Sequence, residues 1–300
     1  MSSESLSGRT GSRGASRWIY YLSSIPTILA GMRPRGAVLR LFLGLPVRRP
    51  LEVTLGNGQR FRVRTRMDAW VLKETCLDRD YERETRLEPD WTVVDVGAAM
   101  GDFTVHAARL CPRGTVYAFE PLPESFARLE EHVRLNGVTN VRASAEAIAA
   151  EKGTLALYTV TGLSGQHRTA GDGTSAAAPA ITVPALTLGM AFERHGIARC
   201  DLLKIDCEGA EFEILLGLSP EDFARIARIV LEYHDHVTAH THEELASRLE
   251  ERGFDVTVRP NPAWRELGFL YAQNRSLVGR LDPSSAGTGD QIGARRKTVT

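Results

Sequence analysis

Two motifs that combine glycines with carboxylates lie where backbone and side chains can contact a small molecule. The segment DVGAAMG, residues 95–101, follows an apolar run and precedes a helical pattern, so we expect a strand-to-helix turn. Small residues there let the backbone approach a ligand and leave the helix amino terminus facing it. Glu120 ends the next apolar run, where a carboxylate can accept both hydroxyls of a ribose. Together the two features indicate a nucleoside-containing cofactor.

The details of these motifs favour S-adenosylmethionine (SAM) over a nicotinamide dinucleotide. The 95–101 turn lacks the GxGxxG pattern typical of close contact with a diphosphate. A later strand ends in KIDCEGAE, residues 204–211, where the carboxylates of Asp206 and Glu208 can face a cationic sulfonium and the methionine amine. A nicotinamide-dependent oxidoreductase is the alternative, although the sequence has no Tyr-x3-Lys or comparable hydride-transfer pair.

Residues that could assist methyl transfer follow the later predicted strands. A hydroxyl acceptor loses its proton as it attacks, which calls for a histidine or carboxylate nearby. We expect Asp206 beside the cofactor, and His234 or Glu232 beside the acceptor, as the catalytic residues. His234 is favoured because an unperturbed imidazole titrates close to neutral pH. In the alternative interpretation, His234 is a strand-end residue that only hydrogen-bonds to a loop.

Other polar and aromatic residues have simpler structural interpretations. The segment HDHVTAHTH, residues 234–242, could bind a divalent metal, but it spans a strand end and a helix start, so we expect no metal. Glu211 and Glu213 are predicted in the first turn of a helix, where they favour its dipole. For three aromatic residues we favour packing in a core or a dimer seam over a substrate pocket: Trp70, Tyr81 and Trp264.

The elements that position these residues alternate between strand and helix from about residue 88 to residue 281. This alternation is typical of a parallel sheet with helices on both faces. Strands are predicted at 91–97, 115–121, 140–149, 200–209, 227–235, 254–261 and 267–274, with two extra strands at 153–160 and 181–186 around a loop at 161–180. Helices are predicted at 102–111, 123–137, 210–218 and 241–253. We therefore predict an α/β, Rossmann-like domain with about seven mostly parallel strands.

The preceding segment, residues 18–87, is predicted to be an extension that caps the active site or forms a dimer contact. Residues 18–45 suit amphipathic helices, because arginines and a proline interrupt them before the roughly 20 apolar residues of a membrane span. Residues 51–66 form a predicted hairpin around Gly56-Asn57-Gly58, and a short helical stretch follows at 68–84. Terminal tails at 1–17 and 282–300 are predicted to be disordered.

Composition limits the partners. The chain has 300 residues with 37 basic and 37 acidic side chains, so no overall field attracts nucleic acid. Its four cysteines are scattered and suit reduced thiols in a cytoplasmic protein. We expect a small-molecule substrate.

Three motifs, at 93–103, 118–121 and 202–211, resemble those of the FkbM-type methyltransferases in order and spacing, and the resemblance covers about residues 68–255. It implies a class I, SAM-dependent enzyme, commonly an O-methyltransferase that modifies natural products or sugars. A carbon or nitrogen atom of an aromatic small molecule is the alternative acceptor.

The resemblance also implies roles for individual cofactor-binding residues. Asp95, Gly97, Ala98 and Gly101, followed by Asp102, would form the loop around the methionine. Glu120 would hold the ribose with Pro121 and Leu122 alongside, Glu146 and Ala147 would flank the adenine, and Asp206 would lie near the amino-acid end. Ala99 replaces the middle glycine of the general methyltransferase loop.

Overall fold

Three sheets organise the part of the chain that the structure describes, a computed structural model of residues 23–45, 49–159, 167–169, 181–261, 264 and 266–278. In chain order the strands are β1 (Met32–Arg33), β2 (Leu51–Leu55), β3 (Arg60–Val63), β4 (Thr92–Val96), β5 (Thr115–Phe119), β6 (Val141–Ser144), β7 (Ala147–Ile148), β8 (Gly153–Thr159), β9 (His167–Thr169), β10 (Ile181–Leu186), β11 (Leu202–Ile205), β12 (Arg228–His234), β13 (Phe254–Pro260) and β14 (Leu267–Asn274).

The largest sheet has seven strands in the order β13-β14-β12-β11-β4-β5-β6. Strands β12, β11, β4, β5 and β6 are parallel, whereas β14 runs antiparallel to both β12 and β13. All four residues of β11 are buried, as expected for a strand covered on both faces. The predicted α/β, Rossmann-like sheet of about seven mostly parallel strands is confirmed.

Helices cover this sheet and build the extension. They are α1 (23–31), α2 (Arg35–Phe42), α3 (Arg66–Leu72), α4 (Asp102–Leu110), α5 (Pro123–Asn136), α6 (Leu188–His195), α7 (Glu211–Leu216), α8 (Pro220–Phe223), α9 (His242–Glu251) and α10 (Arg275–Val278). Helix α6 was not predicted from the sequence. Among the helices in the described ranges, none combines the length and apolar character needed to cross a lipid bilayer.

The extension packs against the helices beside the glycine loop. Strands β2 and β3 form the predicted hairpin, with Gly58 in its turn at φ +82°. Phe61 of β3 is fully buried and meets the His132 ring of α5 edge-on at 5.3 Å. Asp68 of α3 ion-pairs with Arg128 of α5 at 2.8 Å, and both side chains are largely buried. The extension is thus fixed to α5, the helix that follows β5.

Two predicted elements differ from the structure. The helical stretch at 68–84 is divided into α3, a π-helical segment (Lys73–Asp78) and a 3-10 turn (Asp80–Glu82), and the left-handed conformation of Arg79 separates the last two.

The predicted strand at 140–149 is also divided. Its first half is β6 of the main sheet, and its second half is β7 of a four-stranded sheet with β10, β8 and β9. Apart from β9, the predicted loop at 161–180 lies outside the described residues, as do the predicted tails at 1–17 and 282–300.

Candidate active site

The glycine loop lies directly against the turn that follows β11. The backbone N–H groups of Gly97 and Ala98 donate to the carbonyl of Phe119 at 3.0 and 3.1 Å. Gly97 has φ +74°, and a Cβ added to it would lie 1.9 Å from the carbonyl oxygen of Asp206. Only glycine fits there. The first and third motifs are therefore in backbone contact, and Gly101 completes the loop at φ +82° before α4 begins.

Ala99 occupies the one position at which the loop departs from the general glycine pattern. Its φ is +47°, in the left-handed region that glycine adopts without steric cost. The loop therefore keeps the glycine-like conformation despite the alanine side chain.

Glu120 lies at the carboxyl end of β5 and faces the loop. The side chain is buried, and its two oxygens accept hydrogen bonds from the backbone N–H groups of Ala99 and Leu122 at 2.8 and 2.9 Å. Burial raises the pKa of Glu120 to about 7, although the two backbone donors act in the opposite direction. Each oxygen keeps further acceptor capacity. A buried carboxylate with this capacity suits the hydroxyls of a ribose.

The carboxylates of Asp95 and Asp102 point into the interior. Asp95 is fully buried, accepts a hydrogen bond from the Thr104 hydroxyl at 2.6 Å and ion-pairs with Lys204 Nζ at 3.0 Å. Asp102 accepts from the Thr75 hydroxyl at 2.6 Å. Lys204 also donates to the carbonyl of Gly97 at 2.9 Å. The buried Lys204–Asp95 pair therefore holds the backbone of the loop in place.

The predicted adenine-side residues follow β5 and β6 at the same edge of the sheet. Leu122 is buried beside Glu120, and Pro121 is half-buried between them. The Glu146 carboxylate accepts from the Ser144 hydroxyl at 2.8 Å and pairs with Arg194 at 2.5 Å. Ala147 is buried in β7.

The three predicted catalytic residues lie together at the ends of β11 and β12. A carboxylate oxygen of Asp206, a carboxylate oxygen of Glu232 and a ring nitrogen of His234 all lie within 4.8 Å of one another. Burial, reinforced by the negative charge of Asp206, raises the pKa of Glu232 well above its ordinary value. Burial alone would lower the pKa of His234, but the hydrogen bond to Glu211 and the nearby carboxylates raise it to about 10. These contacts therefore favour the protonated form of the imidazole.

Two residues in this cluster were not predicted to act in the site. The hydroxyl of Tyr81 donates to the Asp206 carboxylate at 2.8 Å, although its sequence context favoured apolar packing. Its ring does pack edge-on against Phe103 and Phe269. The second residue is Glu211, which lies in the predicted first turn of α7 but bonds to His234 at 3.0 Å. No sequence pattern signals either contact, because both join side chains of separate elements.

The remaining candidates have the surroundings of ordinary structural residues. In the 234–242 segment, His242 pairs with Asp235 at 2.6 Å, and with Glu243 these side chains also lie within metal-binding distance of one another. The prediction that the protein uses no metal stays a prediction. Trp70 stacks with Phe42 at 6.1 Å, and Trp264 is partly exposed.

The order of the seven strands, with one antiparallel strand between β12 and β13 and a glycine loop after β4, defines a Rossmann-like methyltransferase fold. The model of the FkbM methyltransferase domain matches residues 95–256. The chain belongs to the FkbM methyltransferase family.

Three relatives show the range of proteins to which the chain is similar. The AMB antimetabolite synthetase AmbE of Pseudomonas aeruginosa is 30% identical over 247 residues, which cover 70% of this chain and only 12% of AmbE. The 31-O-demethyl-FK506 methyltransferase FkbM of Streptomyces tacrolimicus is 32% identical over 64% of this chain and 84% of its own length. The hexuronic acid methyltransferase AglP of Haloferax volcanii is 25% identical over 60% of this chain and 72% of its own length.

Proposed function

We propose that the protein is a SAM-dependent methyltransferase that O-methylates a hydroxyl of a natural product or sugar. The observation that carries this proposal is the convergence of Gly97, Glu120 and Asp206 at one edge of the sheet, where the first and third motifs touch. The family membership supports methyl transfer. A glycine loop beside a buried carboxylate supports a nucleoside-containing cofactor.

In this proposal the carboxyl edge of the sheet has two parts. The cofactor half binds SAM, and the acceptor half, with Glu232 and His234, binds the methyl acceptor. Glu120 holds the ribose hydroxyls, the 97–101 loop and Asp206 surround the methionine, and Glu146 and Ala147 border the adenine. SAM would supply an activated methyl group on its sulfonium. The loop's backbone and the Lys204 network beneath it keep this half of the site in shape before any ligand enters.

The proposed general base is Glu232 rather than His234. A base must hold a free lone pair at the working pH, and a protonated imidazole has none. Burial raises the pKa of Glu232 and thereby strengthens it as a proton acceptor for a hydroxyl. The positive charge of a protonated His234 opposes that rise and favours the ionised form of Glu232. We therefore propose Glu232 as the base and His234 as the positive charge beside it, in place of the sequence-based preference for His234 as the base.

The acceptor class rests on the relatives. The name of the Streptomyces relative refers to an O-demethylated FK506 substrate, and that of the Haloferax relative to a hexuronic acid. We extend oxygen methylation of a hydroxylated small molecule to this chain on that basis. The predicted cytoplasmic location and a homodimer formed through the N-terminal segment stay predictions, and the mass in solution by light scattering would test the dimer.

Calorimetry with SAM and S-adenosylhomocysteine tests the cofactor. We expect binding by the folded protein, weakened about tenfold or more in Glu120→Gln, because a charged acceptor of two hydroxyls is lost. Glu124→Gln is the matched control, since that side chain lies on the neighbouring helix and is 79% exposed. Absence of binding to well-folded wild-type protein would refute the proposal.

A second measurement tests the reaction. Methyl transfer from radiolabelled SAM to a panel of hydroxylated metabolites and sugars should identify an acceptor. With that acceptor, Glu232→Gln should lower turnover at least about 100-fold, in the range expected for loss of a general base, while SAM affinity changes little. Unchanged turnover would remove Glu232 from the mechanism.

A further inference from the structure

Glu211 joins two separate elements of the proposed site through one buried carboxylate. The residue is fully buried at the start of α7. One oxygen accepts the backbone N–H of Cys207 at 3.0 Å, and the other accepts that of Gly209 at 2.7 Å. The first oxygen also lies 3.0 Å from Nδ1 of His234, at the end of β12.

The turn that Glu211 holds has an unfavourable backbone. Glu208 adopts φ +53° and Gly209 adopts φ +110°, so two consecutive residues lie at positive φ. A Cβ added to Gly209 would lie 2.5 Å from a methyl group of Val237. Residues in such conformations persist only where their surroundings fix them, and they are common at functional sites. The two hydrogen bonds that Glu211 accepts provide that fixation directly after Asp206.

The second contact of Glu211 determines which way the His234 ring faces. With Nδ1 bonded to Glu211, the opposite nitrogen, Nε2, lies 3.6 Å from the Glu208 carboxylate. The ring is 4% exposed, so it cannot exchange this arrangement for contacts with water. A carboxylate that orients a histidine from behind is a recurring device for fixing its tautomer and orientation.

We infer that Glu211 is a positioning residue that orients the His234 ring beside Glu232 through its contact with Nδ1 and holds the turn that presents Asp206. This inference rests on the proposed function and deepens it. Glu211 acts through His234 and the 207–209 turn and contacts none of the reacting atoms itself. The charged and titratable groups that surround His234 are Asp206, Glu208, Glu211, Glu232 and, through a ring contact, His236.

The comparison of Glu211→Gln with Glu213→Gln tests the inference. Glutamine keeps the volume of Glu211 but removes its charge and replaces one accepting oxygen with an NH₂ group. Glu213 lies in the same first turn of α7, carries the same charge and is exposed. The readouts are the titration of His234 by histidine ¹⁵N NMR, assigned through His234→Gln, together with thermal unfolding and S-adenosylhomocysteine calorimetry.

The inference predicts that His234 in the wild type is protonated on both nitrogens at pH 8. In Glu211→Gln its titration midpoint should fall by about 1 to 3 pH units, the range that loss of an adjacent opposite charge produces. Glu213→Gln should titrate like the wild type. An unchanged midpoint in Glu211→Gln, or an equal fall in Glu213→Gln, would overturn the inference.

Two further results separate this inference from the proposed function. Failure of the wild type to bind S-adenosylhomocysteine would refute the function, whereas the His234 titration needs no ligand. If Glu211→Gln does not fold, the titration of His234 in the wild type still tests the inference. A His234 that titrates near the ordinary histidine value of about 6.5 would contradict the positioning role, and one that is doubly protonated at pH 8 supports it.

Discussion

The cofactor half and the acceptor half of the sheet edge are built in different ways. In the cofactor half, the Glu120 carboxylate accepts from backbone N–H groups of Ala99 and Leu122. In the acceptor half, the contacts join side chains: His234 bonds to Glu211, and Tyr81 donates to Asp206, which lies between the two halves. The first half therefore depends on backbone donors, which almost any residue supplies, whereas the second depends on pairs of side chains from separate elements. Local patterns in a sequence can therefore reveal the cofactor but not the protonation of the catalytic groups.

The largest expected effect concerns the support beneath the cofactor half. Lys204→Met should leave the fully buried Asp95 carboxylate without its ion-pair partner, and we expect a loss of about 3–5 kcal/mol in the free energy of unfolding. Arg199→Met is the control, because the Arg199–Asp201 pair is half-exposed on the arginine side and such pairs contribute about 0–1 kcal/mol. Denaturant unfolding measures both. Equal losses in the two variants would show that the loop does not depend on the buried pair.

The second prediction concerns the pH dependence of cofactor affinity. Burial raises the pKa of Glu120 to about 7, and the ionised carboxylate is the better acceptor for the hydroxyls of a ribose. The affinity for SAM should therefore rise with pH. Between pH 8 and pH 6 the ionised fraction falls, and SAM affinity in calorimetry should weaken by roughly tenfold. Glu120→Gln should bind more weakly and show little of this dependence. A wild-type affinity that is flat across this range would contradict the assigned role.

The third prediction links the two halves. Tyr81→Phe removes the hydroxyl that orients Asp206, and we expect a loss of about 1 kcal/mol in stability and roughly threefold in SAM affinity. Tyr271→Phe is the matched control, since its hydroxyl donates to the backbone carbonyl of Asp80 at 2.5 Å. That variant should lose comparable stability but keep its SAM affinity. Equal affinities in the two variants would confine Tyr81 to a packing role.

The smallest expected effect lies in the glycine loop. Ala99→Gly should relieve the steric cost of φ +47°, but glycine also makes the unfolded chain more flexible, which favours unfolding. The free energy of unfolding, measured by thermal denaturation, should therefore change by less than about 1 kcal/mol. Gly97→Ala is the contrast, because its new Cβ would overlap the carbonyl of Asp206. A large effect of Ala99→Gly would mean that the alanine methyl group contributes to the loop's packing.

Much of the fold and of the cofactor half could be predicted from local patterns. The strand-turn-helix pattern around residues 95–101, the acidic end of β5 and the Gly58 hairpin all depend on residues close together in the chain, and the structure contains each of them. The division of residues 140–149 between two sheets was missed, because strand pairing depends on neighbours far away in sequence. Helix α6 was missed although Thr187 caps its start and Gly196 follows its end, a pattern by which helices can be recognised in a sequence.

The protonation of the acceptor half could not be predicted. His234 was expected to titrate near neutral pH, but its pKa depends on Glu211 and on burial, which only the packed structure provides. Tyr81 and Glu211 each had a reasonable local interpretation, as a packing aromatic and a helix-start acid, and each has that local role. Their second contacts depend on tertiary structure, about which local sequence is silent.

The position of β14 has a consequence for synthesis of the chain. This strand comes last among those of the main sheet, yet it pairs with β12 and aligns Phe269 with Glu232 and Leu267 with His234. During translation, the end of β12 is therefore left with an open edge until residues 267–274 have emerged from the ribosome. The acceptor half of the site therefore borders a strand that is synthesised after every other strand of the main sheet.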